Sequence, residues 1–471
     1  MLETPKVEKY RRKVTPVERA FRRAPYAIVT MVARIKGNVS EKMLKDAVSK
    51  VQQRHALLRV RIEEDADHVP WFTSEGVKEI PVETVARKSS DHWIEIYHEA
   101  CKTPFEFNER PAIRFILMQS PTVSELIILC HHIICDGMSL AYLARDLMVH
   151  LGDPDREIEV LPDPVTINKD TVPEKVSSLN AVYRFLVKRL NKKWDKQKIF
   201  FDQEDYKNIN DAYWKKFKHR MLSIELTEEQ TSVLVDRCRK EGVTVNSAIV
   251  TAFNGAHYII QGDESHLANT GVAGSVRNRL TRPAGEAMGF YAGLIVSKYK
   301  YSRKLTFWDN TRNFHKRIKP MYNNKNLFLG AVLNLSIDPT FKEAVTFKMM
   351  SGFVSAGSTK YDKLSAFSKR NDRTVSFIKR RKMDNLDKTV MGTVLTNLTR
   401  MEFSRKYGPL ELDCLIFNPG SSAPLAMVSV VVGAVTTSGK LSMVMEYAEK
   451  TGDKETMKKI KEKMIELLLG E

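Results

Sequence analysis

The sequence predicts an α/β chain folded in two halves, and three observations predict it. Short β-branched apolar runs alternate with stretches of helical spacing along the whole chain. At 471 residues there is room for two or three ordinary domains. Near the middle, Pro162, Pro164 and Pro173 interrupt regular structure, and a new core begins after them. The expected division is an N-terminal unit at 1–170, a connector at 171–215 and a C-terminal unit at 216–471.

In the first unit, Ala27 to Gly37 predicts a strand. Ser40 caps a helix to about Gln53, with Met43, Leu44, Ala47, Val48 and Val51 on one apolar face. Leu57 to Ile62 predicts another strand, Ile80 to Val85 more β structure, His92 to Cys101 a helix and Ile113 to Met118 a strand. In the connector, Val182, Phe185, Leu186, Leu190 and Trp194 recur at helical spacing, and Arg184, Lys188, Arg189, Lys192, Lys193, Lys196 and Lys198 fill much of the remaining surface. This reads either as a solvated helix spanning the two units or as a dock for an anionic membrane.

The second unit opens with a strand at Leu222 to Leu226. Thr227 and Gln230 form a capping box for a helix that stops at Gly242, and another helix runs from about Asn246 to Ile260. A strand near Leu294 to Lys300 and a helix from Thr306 to Lys319, stopped by Pro320, come next. Leu425 to Val435 is a core strand before the Thr-Ser-Gly turn at 437–439, and Glu455 to Leu469 is an amphipathic helix.

The stretch Glu125 to Leu151 carries the chemistry. The apolar run Leu126 to Cys130 reads as a buried strand and Met138 to Leu151 as a helix, so His131 and His132 sit on a strand-to-helix turn. Alternation along a strand sends the two rings to opposite faces; one works while the other supports. A neutral imidazole accepts a proton near pH 7 without the large pKa shift a carboxylate or lysine needs. Asp136 can cap the helix or pair with a distant arginine. Gly137 allows close backbone approach, and its N–H at the positive end of the helix can face a developing oxyanion.

His-His-x-x-x-Asp-Gly between strand and helix resembles the active-site motif of the chloramphenicol acetyltransferase-like superfamily, which includes peptide-synthetase condensation domains, alcohol acetyltransferases and wax-ester synthases. Leu44 to Ile62, Pro104 to Met118, Ser275 to Leu280 (SVRNRL) and Thr396 to Arg400 (TNLTR) resemble further landmarks of that family, in family order. The resemblance implies two subdomains, each a mixed β-sheet with flanking helices, facing across a central tunnel. It implies a free-standing acyltransferase that moves an acyl group from a thioester to a hydroxyl or amine, with His132 as general base and Gly137 beside the reacting carbonyl. His131 and Asp136 would maintain the turn, with Arg277 as the ionic partner of Asp136, while Ser139, Thr396 and Asn397 would contact substrate. The donor would be acyl-CoA or an acyl carrier protein, with no resident cofactor and no metal. Two other readings stay open: a carrier-dependent condensation enzyme forming an amide or ester, and a noncatalytic binder of acyl thioesters or lipids. Thr399 departs from the family pattern, which has glycine there.

Composition narrows the partners. The 75 basic and 57 acidic residues give a net charge of +18, a field suited to phosphates, anionic membranes or acidic proteins. No zinc-finger spacing or aromatic RNA-recognition motif accompanies it, which argues against nucleic acid. A second basic run, Lys369, Arg370, Arg373, Lys379, Arg380, Arg381 and Lys382, is either a grip on coenzyme A phosphates or a solvated surface. Five scattered cysteines suit a reducing compartment, and Cys130 and Cys135 read as core thiols rather than metal ligands. With no apolar stretch near the N-terminus and no membrane-spanning run, the expectation is a cytoplasmic monomer, with peripheral membrane contact through the connector as its alternative.

Overall fold

The computed structural model describes residues 9–262, 269–350, 359–369, 391–420 and 427–470. Its strands are β1 (Arg11–Lys13), β2 (Ile28–Lys36), β3 (Arg61–Glu64), β4 (Pro70–Thr73), β5 (Val82–Ala86), β6 (Ile113–Gln119), β7 (Val123–His131) and β8 (His219–Glu225). The remainder are β9 (Asn269–Ser275), β10 (Ala292–Lys298), β11 (Met391–Arg400), β12 (Lys406–Tyr407), β13 (Leu410–Asn418), β14 (Val428–Thr437) and β15 (Lys440–Ala448). Two six-stranded mixed sheets dominate, ordered β12-β13-β2-β7-β6-β5 and β10-β9-β11-β14-β15-β8, beside a small β1-β4-β3 sheet. The expected pair of mixed sheets with flanking helices is present.

Chain order and spatial order part company at β12 and β13. These strands come from the C-terminal segment yet extend the N-terminal sheet, with β13 pairing antiparallel along β2 from Asn418↔Thr30 to Glu411↔Lys36. The division at 216 therefore describes the chain and not the sheets. β13 carries an almost unbroken apolar run, Leu412 to Phe417, and a strand buried on both faces reads that way. It packs on helix Gly137–Gly152, so the histidine turn lies against residues supplied from more than 250 positions away, as the separation from Asp136 to Phe417 shows.

Most elements match their sequence signals. Ser40 accepts a hydrogen bond from the Met43 amide to cap Glu41–Arg54, and Thr227 and Gln230 form the capping box of Glu228–Lys240. Leu57 to Ile62 differs: a 3-10 turn at Ala56–Arg59 precedes β3. Leu57 and Leu58 are both fully buried, and burying adjacent side chains favours a tight turn over an alternating strand. The connector holds two helices: Ala181–Asp195 is largely exposed, whereas Gln203–Lys216 buries Tyr206, Ile209 and Tyr213. The basic run from Arg370 to Lys382 lies outside the described residues. Lys369 ends the helix Thr359–Lys369.

The two large sheets are also joined through a buried acid. Glu446 of β15 accepts from Tyr97 Oη at 3.2 Å and from Asn418 Nδ2 of β13 at 3.0 Å. Burial outweighs both donors and pushes its carboxyl up to about 7. The folded value is above the unfolded one, so this group's contribution to stability is complete below about pH 4.5 and is lost as pH rises to about 7. Glu446→Gln should remove that slope and stabilise the protein by about 3 kcal/mol near pH 8, read from denaturant unfolding across pH. An unchanged pH profile would show that Glu446 does not titrate in this range.

Candidate active site

The turn after β7 assigns different work to its two histidines. His131 is fully buried; its Nε2 donates to the Ala24 carbonyl at 3.2 Å and its Nδ1 accepts from the Ile133 amide at 3.3 Å. Both ring nitrogens are committed to backbone, and burial drives its pKa down to about 3. His132 points the other way, with Nδ1 3.1 Å from the Cys135 carbonyl. A carbonyl can only accept, so the tautomer protonated at Nδ1 satisfies this contact, and in that tautomer Nε2 is the basic nitrogen. Burial lowers the His132 pKa, opposed by the Cys135 carbonyl, the Asp136 carboxylate and the Pro419 backbone. The ring is therefore neutral at pH 7, and the charge it would gain on taking a proton has acceptors beside it.

Two phenyl rings enclose this imidazole. Phe21 lies 5.0 Å and Phe290 5.2 Å from it, centroid to centroid, and the two phenyl rings are 4.5 Å apart. His132 is 8% exposed. Neither ring was singled out from sequence: Phe21 lies ahead of the first expected strand, at Ala27, and Phe290 lies within Met288–Gly293.

Asp136 caps helix Gly137–Gly152 and ties it to the second half. Its Oδ1 accepts from the Ser139 amide at 2.8 Å and from Arg277 Nη2 at 2.8 Å, and its Oδ2 accepts from the Tyr291 amide at 3.0 Å. Burial pushes this carboxyl up, but the Arg277 charge and the donated hydrogen bonds prevail and hold it below the usual range. Arg277 also donates from Nη1 to the carbonyls of Gly285 and Ala287, at 3.0 and 2.9 Å, with its guanidinium over the Tyr291 ring. Ser139, expected to touch substrate, is instead fully buried here; its hydroxyl accepts from Arg277 Nη2 at 2.6 Å and from the Gly289 amide at 3.2 Å. Its lone pairs are spent on the junction.

Gly137 needs the absence of a side chain. A Cβ there would come within 2.4 Å of Phe417 and 2.9 Å of Leu398. Thr396 and Asn397 lie half-buried on β11, which ends in the second sheet. Asn397 Nδ2 donates to Asn246 Oδ1 at 2.6 Å, and Asn397 Oδ1 accepts from the Thr399 amide at 2.7 Å. Thr399 has φ of 64°, the left-handed conformation that glycine adopts freely, so this turn keeps its shape despite the substitution. Near Gly137, a cleft of about 720 Å³ opens between helix Gly137–Gly152 and segment 398–408, with Met138, Tyr142, Leu398 and Phe403 in its walls. His132 is not among its lining residues. Arg156 and Lys406 at its rim make no ion pair among the described residues. Cys130 and Cys135 are free, buried thiols.

Two stability measurements follow. Arg277→Met should cost about 3–5 kcal/mol by stranding a buried carboxylate, and adding Asp136→Asn should recover part of that loss. Full additivity in urea unfolding would mean that the two do not act as a pair. Thr399→Gly should gain about 1 kcal/mol by relieving a β-branched residue of a positive φ; a loss of stability would show the threonine is not strained.

Comparison with known proteins shows what this geometry resembles. Residues 21–152 match the family described as Condensation domain, a segment that includes both histidines, Asp136 and the following helix. The chain is 24% identical over 344 residues to a subunit of linear gramicidin synthase from Brevibacillus parabrevis, covering 69% of this chain and 6% of that one. It is 24% identical over 277 residues to cyclosporin synthetase of Tolypocladium inflatum, covering 56% of this chain and 2% of that one. This chain thus spans less than a tenth of either synthetase. Among solved structures, the epimerization domain from the third module of tyrocidine synthetase B aligns with a TM-score of 0.61 at 13% identity, over 98% of this chain and 96% of that one. The trichothecene 15-O-acetyltransferase of Fusarium sporotrichioides aligns with a TM-score of 0.60 at 11% identity, over 98% and 96%. Residues 21–152 thus resemble a condensation domain across the histidine turn, and the whole chain, with its two mixed sheets, shares the fold of these two solved structures.

Proposed function

We propose that this protein condenses a carrier-borne acyl thioester with an amine or hydroxyl acceptor, forming an amide or ester. The observation that carries the chemistry is the His132 ring, whose Nδ1 is committed to the Cys135 carbonyl so that Nε2 is the basic nitrogen. The matched synthetases favour a carrier-borne donor over the free-standing acyl-CoA enzyme expected from sequence. Acyl-CoA is the second reading; the fold shared with an acetyltransferase and the unpaired Arg156 and Lys406 at the cleft rim support it.

In this mechanism His132 Nε2 takes the proton from the acceptor N–H or O–H as that atom attacks the thioester carbonyl. A C–N or C–O bond forms, and the electron pair of the C=O moves to oxygen. The Gly137 amide, at the positive end of its helix, faces that oxyanion. Collapse re-forms the carbonyl and breaks the C–S bond; the imidazolium returns its proton to the leaving thiolate. Arg277, Asp136 and Ser139 hold the turn in register. Thr396 and Asn397 orient the acceptor from the opposite wall.

The test is thiol release from carrier-bound and CoA-bound acyl donors in the presence of amine and alcohol panels. His132→Ala should lower acceptor-dependent release by about 10²–10⁴-fold while its unfolding curve stays that of a folded protein. Wild-type kcat/KM should stay flat around pH 7 and fall on the acid side only below the ordinary histidine value of 6.5, since burial depresses the His132 pKa. Near-full turnover in His132→Ala would remove the base. Turnover with CoA donors alone would select the second reading, and donor binding without release would leave a noncatalytic thioester-binding protein.

A further inference from the structure

The helix Ala181–Asp195 shows a surface that acyl transfer does not use. Val182 is 68% exposed, Tyr183 57%, Phe185 64% and Leu186 52%. Six large hydrophobic side chains among the described residues are more than half exposed; four of them, including both aromatics, fall within these five positions. At about 100° per residue these four side chains cover roughly 160° of the helix circumference, all within its first two turns. They form an apolar patch on one side of the helix tip and not a stripe along its whole length.

The other end of the helix is anchored. Trp194 is fully buried and donates to Thr340 Oγ1 at 2.7 Å, and Asn191 Nδ2 donates to the Ser336 carbonyl at 2.9 Å. Arg184 stands within the tip, and Lys188, Arg189 and Lys192 follow it towards the anchored end, all four exposed. No acidic residue occurs from Ala181 to Trp194. Apolar tip, basic collar and fixed base therefore succeed one another along the helix axis.

We propose that this helix docks the protein on an anionic phospholipid surface, the tip entering the acyl–headgroup boundary and the collar meeting the phosphates. Charge complementarity selects anionic lipid, because the collar has no acidic counterweight and the whole chain carries +18. The join of exposed aromatic and aliphatic groups to a basic segment with no acidic residue from Ala181 to Trp194 favours an anionic bilayer over a protein partner. No described helix is long and apolar enough to cross a membrane, so the contact would be peripheral.

Flotation of the full chain with vesicles of phosphatidylcholine alone, or of phosphatidylcholine mixed with phosphatidylglycerol, tests this. The chain should float with the mixed vesicles and not with the neutral ones, and added salt should weaken it. Phe185→Ser with Leu186→Ser, which leaves charge unchanged, should lower partitioning by about tenfold or more, and so should Lys188→Glu with Lys192→Glu. All four sites are exposed, so urea unfolding of the variants should match the parent. Binding lost only on charge reversal would overturn insertion in favour of general electrostatic attraction. Binding unaffected by either pair, or no vesicle binding together with capture of an acidic carrier protein through this helix, would overturn the proposal.

Discussion

A carboxylate and a guanidinium, each all but stripped of water, meet where the two halves of the protein touch. Asp136 and Arg277 are 4% and 3% exposed and 2.8 Å apart. Such a pair is worth little if judged against a well-packed apolar replacement, but costly to break from one side. Its value here is directional. One oxygen of Asp136 fixes the first turn of Gly137–Gly152 and the arginine, and the other fixes the Tyr291 amide, so the orientation of the histidine turn and of Met288–Gly293 is a single geometric fact. Phe290, adjacent to Tyr291, is thereby set against the His132 ring. The His132 imidazole inherits its surroundings from a bond it does not itself make.

Two hydrogen-bond assignments divide the labour between neighbouring histidines. Both rings are driven below their ordinary pKa by burial, which alone does not distinguish them. What separates them is the chemistry of their partners. His131 gives one nitrogen to a carbonyl and the other to an amide, leaving it no capacity for exchange, whereas His132 meets carbonyls and a carboxylate, all of which favour the protonated ring. A base must bind its proton transiently, and surroundings that tolerate the cation without enforcing it suit that task.

The end of β11 shows how a local departure can be absorbed. Thr399 occupies a left-handed position at a cost of about 1 kcal/mol or more for a β-branched residue. Asn397 meets the strained amide with its own side chain and ties itself to Asn246 through its other end. The turn is thus held by side-chain hydrogen bonds where glycine would have adopted it without help. The buried position of Ser139 has a related reason: a hydroxyl three residues into a capped helix is drawn into the cap and then shared with Arg277.

The sequence by itself determined the local framework: where helices begin and end, the strand–turn–helix around His131 and His132, and the cap at Asp136. Those features rest on periodicity and capping, which act between residues a few positions apart. It also pointed to Arg277, though only through likeness to a family motif, since nothing local links positions 136 and 277. Tertiary structure alone decided that β12 and β13 cross into the N-terminal sheet, that Phe21 and Phe290 enclose His132, and that Phe417 and Leu398 make glycine necessary at 137. It also decided that the connector helix buries its far end and leaves its first turns bare. These outcomes depend on which apolar surfaces meet, and burial is non-directional: a hydrophobic side chain records that it seeks cover, but not from which distant residue the cover comes.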